Sequence, residues 1–213
     1  MPSRGVNSEP DAVRLERLWA GGFGNEYLER NPGAGGGREV FWRTFLADHP
    51  IGRVLEVGCN AGANLQWIIE RVDPAQTFGI DVNDKALSRL RQRLPSVNAV
   101  SGTARELPFR DRWFDLAFTA GVLIHQPDTT LPLVMAEVVR VSRRYVLCAE
   151  YFAPEKVEVP YRGATGSLFK RDYGALYRDL FPELELVDEG FLGHAEGWDD
   201  VTWWLFERVA SSA

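Results

Sequence analysis

Glu56, Gly58, Asn60 and Gly62 stand at alternate positions in the stretch Arg53 to Leu65, where an apolar run gives way to small and polar residues. A short strand, a glycine turn and a helix in that order bring the backbone close to a nucleotide and aim free N–H groups at it. Asp81 lies nineteen positions beyond Gly62, at the tip of a second apolar stretch, with Val82 beside it. A carboxylate there suits the two hydroxyls of a ribose. The spacing is not the G-x-G-x-x-G that cradles a pyrophosphate. Glu56, an acid inside the first strand, disfavours a diphosphate and suits a ligand that carries positive charge. The sulfonium and α-ammonium of S-adenosylmethionine meet that description. Asn60, in place of a middle glycine, tolerates the left-handed backbone such a turn needs.

A second set of residues offers chemistry for an acceptor. His125 follows the fourth apolar strand at the sheet edge where ligands bind, and its ordinary pKa suits proton transfer near neutrality. A histidine held by its own turn is the competing reading. Ala120 closes that strand and permits close approach from below. Glu150 and Tyr151 end the fifth strand, next to where an acceptor would face the sulfonium. Arg162, Lys170 and Arg171 are cations in an acidic chain and could grip a carboxylate or phosphate. Trp19 and Tyr27, with Phe23, could close over the sulfonium by cation–π contact, or could staple an N-terminal helix to the core. His125, Glu150 and Tyr151 are thus the catalytic candidates, and Arg162, Lys170 and Arg171 the substrate-binding ones.

The elements that must hold these residues alternate strand and helix. Strands are expected near 53–57, 77–81, 97–100, 114–119 and 145–148, then about 184–190 and 201–208. Helices with apolar residues at i, i+3, i+4 and i+7 follow Leu65, Asn83, Pro127 and Tyr173. The pattern predicts a Rossmann-like, doubly wound α/β fold with a mostly parallel seven-stranded sheet and an antiparallel edge strand. Residues 1–10 read as a flexible N-terminus and 11–50 as an N-terminal helical lid, with helices at 11–20 and 39–47 and a break at Gly21–Gly24. Residues 51–213 form the nucleotide-type domain, and 151–170 is an insert too long for a plain connection. The glycine turns within 21–37 and the insert are expected to close over the acceptor.

Composition narrows the partners. The 213 residues carry a net charge of −6, which goes against nucleic acid as a bulk partner. Two cysteines are too few for a disulfide scaffold, and neither a signal-peptide core nor a membrane-length apolar run stands out. A cytoplasmic protein, monomer or homodimer, with no metal site is the expectation.

The Glu56-Val-Gly-Cys-Asn-x-Gly turn resembles motif I of Rossmann-like methyltransferases. Further pieces resemble one family within them, the pseudaminic acid biosynthesis-associated methylases. These are Trp19-x-Gly-x-Phe-Gly-x-x-Tyr27 with Arg30-Asn31, Val122-Leu-Ile-His125, Cys148-Ala-Glu-Tyr-Phe-x-Pro, Val157-Glu-Val-Pro-Tyr-Arg-Gly, Leu168-Phe-Lys-Arg-Asp172 and Asp200-Val-Thr-Trp-Trp-Leu-Phe-Glu. The resemblance implies S-adenosylmethionine as cofactor. It also places adenine beside Thr103 and Ala104, where the usual acid is missing and backbone groups would do its work. The expected activity is methyl transfer to a small-molecule acceptor, on oxygen or nitrogen, with a carboxylated or phosphorylated sugar-like compound or a secondary metabolite as substrate. Two rivals stand beside it: a non-catalytic S-adenosylmethionine-binding regulatory or partner protein, and a nicotinamide-dependent enzyme. Asn60 and Glu56 disfavour the second.

Overall fold

A computed structural model of the chain describes residues 11–31, 36–162 and 165–209. The N-terminus 1–10 expected to be flexible lies outside the described residues. Helices α1 (Asp11–Ala20), α2 (Gly22–Arg30) and α3 (Glu39–Asp48) come first, followed by β1 (Val54–Val57), α4 (Leu65–Ile68), β2 (Thr77–Asp81), α5 (Asp84–Arg93), β3 (Asn98–Ser101) and β4 (Phe114–Ala120). Then come α6 (Leu131–Val141), β5 (Ser142–Glu150), a small hairpin of β6 (Val157–Glu158) and β7 (Phe169–Lys170), α7 (Tyr173–Leu180), β8 (Leu184–Leu192) and β9 (Val201–Arg208). The main sheet has seven strands in the order β3-β2-β1-β4-β5-β9-β8. The strands β1 to β5 run parallel, and the edge is antiparallel: β9 opposes β5 and pairs antiparallel with the outermost β8.

Chain order reverses between β1 and β4, so the loops leaving these two strands part and leave a crevice at their carboxyl ends. Alternation along each strand feeds two cores. On one face Val54 packs with Leu65, Ile68, Leu87 and Leu90; on the other Leu55 and Val57 pack with Val134, Met135 and Val138 of α6. Trp42 and Phe45 of α3 belong to the first core, and the Trp42 ring centre lies 4.9 Å from that of Phe118. So α3 is part of the helical layer, and of the first three helices only α1 and α2 contribute residues to the cavity wall.

Several boundaries differ from expectation. The break expected at Gly21–Gly24 is confined to Gly21, because Gly22, Phe23 and Gly24 already belong to α2. A Cβ at Gly24 would lie 1.9 Å from the carbonyl oxygen of Trp19 and 2.7 Å from the Asn83 amide nitrogen, so this glycine is there for close approach. The helix after β1 is regular only to Ile68, although Val72 further on is buried as its spacing foretold. Helix α6 begins at Leu131 and not at Pro127. Pro132, in its first turn, has no N–H to leave unpaired and a φ already helical. The capping residue Asn83 behaves as read: its Oδ1 accepts from the Ala86 N–H at 2.9 Å.

Candidate active site

The turn after β1 has the geometry its residues demand. Gly58 and Gly62 have φ of 74° and 79°, and Asn60 has φ of 48°, the left-handed conformation expected of it. A Cβ on Gly58 would fall 2.4 Å from Val122 Cγ2, so the turn after β4 packs directly on this glycine. The Asn60 N–H donates to Asp81 Oδ2 at 2.8 Å, and the Asn83 N–H donates to Asp81 Oδ1 at 2.8 Å. Each oxygen of Asp81 keeps a further lone pair. Burial raises its pKa, against the N–H groups of Asn83, Asn60 and Val82 that favour the charge.

Glu56 is only half satisfied. One oxygen accepts from Asn64 Nδ2 at 2.6 Å, while Oε2 is buried with no partner among the described residues. Burial pushes its pKa up to about 8, opposed by the Asn64 bond and the charge of Arg38. Arg38 stands just before α3. Its Nη1 donates to Asn64 Oδ1 at 3.0 Å, its Nε donates to the Gly197 carbonyl at 3.0 Å, and its guanidinium carbon lies 4.1 Å from the Trp198 ring centre. Trp42 Nε1 also donates to Asn64 Oδ1, at 3.2 Å. One asparagine therefore joins β1's acid, α3 and the connection between β8 and β9.

Arg38, Glu56, Gly58, Asn60, Asn64, Asp81 and Trp198 border a single cavity of about 420 Å³. Of the expected cofactor residues, Glu56, Gly58, Asn60, Asp81, Val82, Thr103, Ala104, Ala120, Trp19 and Tyr27 line it, and Gly62 shapes the turn from behind, its Cα against Leu90. Of the expected acceptor residues, His125, Tyr151 and Arg162 line it. His125 sits in a 3-10 turn, Leu123–His125, with the tilted rings of Trp19 and Tyr161 at 4.5 Å and 5.8 Å between ring centres.

Three expected contributors lie elsewhere. Glu150 is fully buried away from the cavity and accepts from the N–H groups of Val122 and Leu123 at 3.1 Å and of Ile124 at 3.3 Å. It builds the turn that carries His125, where an acceptor-facing role had been expected. Arg171 is turned against Phe169 and Tyr173 and paired with Asp128 at 2.9 Å. Lys170 places its ammonium 5.4 Å from the Tyr151 ring centre, outside the cavity wall. Side chains at successive residues of an extended segment point apart, and the hairpin of β6 and β7 turns neither of these two into the cavity.

Sequence reasoning missed Glu16, Arg38, Asn64, Tyr161, Trp198 and Asp199, all of which line the cavity. A signal existed for one pair. Arg38 and Asn64 are joined by a hydrogen bond, and Trp42, four residues after Arg38 and so on its face of the helix, donates to the same Asn64 oxygen.

The fold and the glycine turn define a class: a Rossmann-like, doubly wound α/β domain with a cavity at the carboxyl ends of its parallel strands. Residues 54–144 match the family described as "Methyltransferase domain". The same region is 36% identical over 93 residues to the phthiotriol/phenolphthiotriol dimycocerosates methyltransferase of Mycobacterium tuberculosis, a match that covers 43% of this chain and 34% of that protein. The chain thus spans about a third of the length of the curated relatives it matches. Among solved structures, the 1,6-didemethyltoxoflavin-N1-methyltransferase of Burkholderia thailandensis, with 1,6-didemethyltoxoflavin and S-adenosylhomocysteine bound, aligns with a TM-score of 0.71 at 15% identity. That alignment covers 98% of this chain and 94% of the other. The magnesium protoporphyrin IX methyltransferase of Synechocystis, with S-adenosylmethionine bound, aligns with a TM-score of 0.68 at 13% identity over 95% and 99% of the two chains. At such identities the likeness is one of fold. Among the described residues no helix is long and apolar enough to cross a membrane.

Proposed function

We propose that this protein transfers a methyl group from S-adenosylmethionine to a small-molecule acceptor by in-line displacement. The observation that carries the proposal is that Glu56, with one buried oxygen unpaired, and Asp81 border the same cavity as His125 and Tyr151. The residues fit the cofactor. Glu56 Oε2 would take the α-ammonium, Asp81 the ribose hydroxyls, and the turn Gly58–Gly62 the backbone-lined side of the nucleoside. The bound cofactor supplies an already activated methyl carbon. The chain's own task is to orient the acceptor and keep water out.

The aromatic wall of Trp19, Tyr27, Tyr151 and Tyr161 does the excluding, and the rim residue Arg162 offers a fork to an acceptor carboxylate or phosphate. An oxygen acceptor is favoured over nitrogen, because His125 presents a nitrogen lone pair to a hydroxyl. The resemblance of the chain's motifs to pseudaminic acid biosynthesis-associated methylases supports a sugar-like carboxylated or phosphorylated acceptor. The net charge of −6 speaks for a small molecule and against nucleic acid.

The test is isothermal titration with S-adenosylhomocysteine, beside NADH and an Asp81→Ala variant. Micromolar binding of S-adenosylhomocysteine alone, lost in the variant, is expected and would open a screen of acidic sugars and small carboxylates. Preference for NADH would overturn the assignment.

A further inference from the structure

The loop after β3 has no acid at Thr103, the position where the sequence left the adenine without a carboxylate partner. The fold brings a carboxylate there from the other end of the chain. Glu16 of α1 accepts from the Thr103 hydroxyl and from Arg105 Nε, the latter at 2.6 Å, through Oε1. Its Oε2 accepts from Arg105 Nη2 at 2.6 Å. The side chain is 30% exposed and borders the same cavity as Val82, Thr103 and Ala104. A carboxylate offers about four lone-pair sites, and three are used here, so Oε2 keeps one.

We infer that Glu16 reads the purine of the cofactor: it is a specificity-determining carboxylate, lent by the N-terminal helix, that accepts a hydrogen bond from the exocyclic amine of adenine. The inference rests on the S-adenosylmethionine reading of the cavity. The chemistry is selective because a carboxylate can only accept. An amino purine donates to it, while a 6-oxo purine would set oxygen against oxygen and leave a charged acceptor unpaired. Arg105 has the complementary part of a positioning residue, holding the carboxylate beside Thr103 by two hydrogen bonds. Nucleoside selectivity then depends on α1, and a chain without that helix would bind the nucleoside less discriminately.

The experiment is isothermal titration of the parent, Glu16→Gln and Arg105→Gln proteins with S-adenosylhomocysteine and S-inosylhomocysteine. The parent should prefer the adenosyl compound by roughly tenfold or more, the worth of a charged hydrogen bond. Glu16→Gln should flatten that ratio to within about twofold, since the amide can donate to a 6-oxo group. Arg105→Gln, which keeps the carboxylate, should preserve the preference while weakening both ligands. Each ratio is taken within one protein, so general destabilisation cancels. A parent without preference, or a Glu16→Gln protein that weakens both compounds equally, would reduce Glu16 to a clip between α1 and the body. A parent that binds neither compound would remove the cofactor reading itself, and this assignment with it.

Discussion

The Nδ1 atom of His125 lies 2.6 Å from the carbonyl oxygen of Ser167. A carbonyl only accepts, so Nδ1 carries the proton and Nε2 keeps the lone pair. Burial pushes the imidazole pKa down to about 4, against the Ser167 bond that favours the charged form. At neutral pH the ring is therefore an uncharged hydrogen-bond acceptor. It is better suited to orienting a hydroxyl than to taking a proton outright.

That value sets a stability window. The folded pKa of about 4 lies below the ordinary histidine value of 6.5, so between those limits the unfolded chain binds the extra proton. Stability should fall as pH drops through that range, by about 3 kcal/mol in all, and level off below it. His125→Gln, which can still donate to Ser167, should remove this part of the slope in denaturant unfolding at stepped pH. An unchanged slope in the variant would place the effect on other groups.

Glu56 gives a proton-release signature. At pH 7 a carboxyl raised to about 8 is mostly protonated, and the neighbouring Arg38, Asn64 and Asp81 do not prevent this. An arriving α-ammonium favours the charged form, so binding S-adenosylhomocysteine at pH 7 should expel roughly one proton. Affinity should accordingly rise between pH 6 and 8 and then flatten. Titrations in two buffers of different ionisation enthalpy measure the proton count. A count of zero at pH 7 would mean that Glu56 does not meet the ammonium.

Replacing Glu150 should act on stability before it acts on chemistry. In Glu150→Gln the amide cannot accept as both carboxylate oxygens do, and one of three buried N–H groups loses its partner. A loss of about 1–3 kcal/mol follows, read as a lower melting temperature. Affinity for S-adenosylhomocysteine should change less than threefold, roughly, because the residue lies off the cavity. A large affinity loss with full stability would return Glu150 to the acceptor site.

Arg38→Lys should behave like Arg38→Met. The lysine keeps the charge but cannot donate at once to Asn64 and Gly197 while lying flat on Trp198. Both variants should weaken S-adenosylhomocysteine by about tenfold, the worth of one charged hydrogen bond, and alter the tryptophan emission. Rescue by lysine would show that charge alone matters.

Much of this was legible in the residues. The turn glycines, the left-handed Asn60, the cap at Asn83 and the strand order's crevice all follow from local chemistry that neighbouring positions cannot disguise. The acceptor side was less readable. Lys170 and Arg171 announce positive charge, yet neither lines the cavity, because their direction follows from the pairing of β6 with β7, a distant contact without a local mark. Glu150 sits where strand-end acids often meet ligands, but the backbone of residues 122–124 claims it. Glu16, Arg38 and Trp198 come from separate elements and meet only in the folded chain. The three glycines at 21, 22 and 24 argued for a loop by intrinsic propensity, and tertiary packing overrode it.

Asn83 does two jobs that call for opposite halves of one amide. Its oxygen caps α5 through Ala86, and its nitrogen donates to the Trp19 carbonyl at 2.9 Å and to Asn25 Oδ1 at 3.2 Å. Aspartate, serine or threonine would serve the first job as well, but aspartate has no donor and the hydroxyls are too short to span both. The position therefore works as a marker in related sequences: lineages that keep the α1–α2 cap should be held to asparagine, and those that have shed it should drift to the ordinary capping residues.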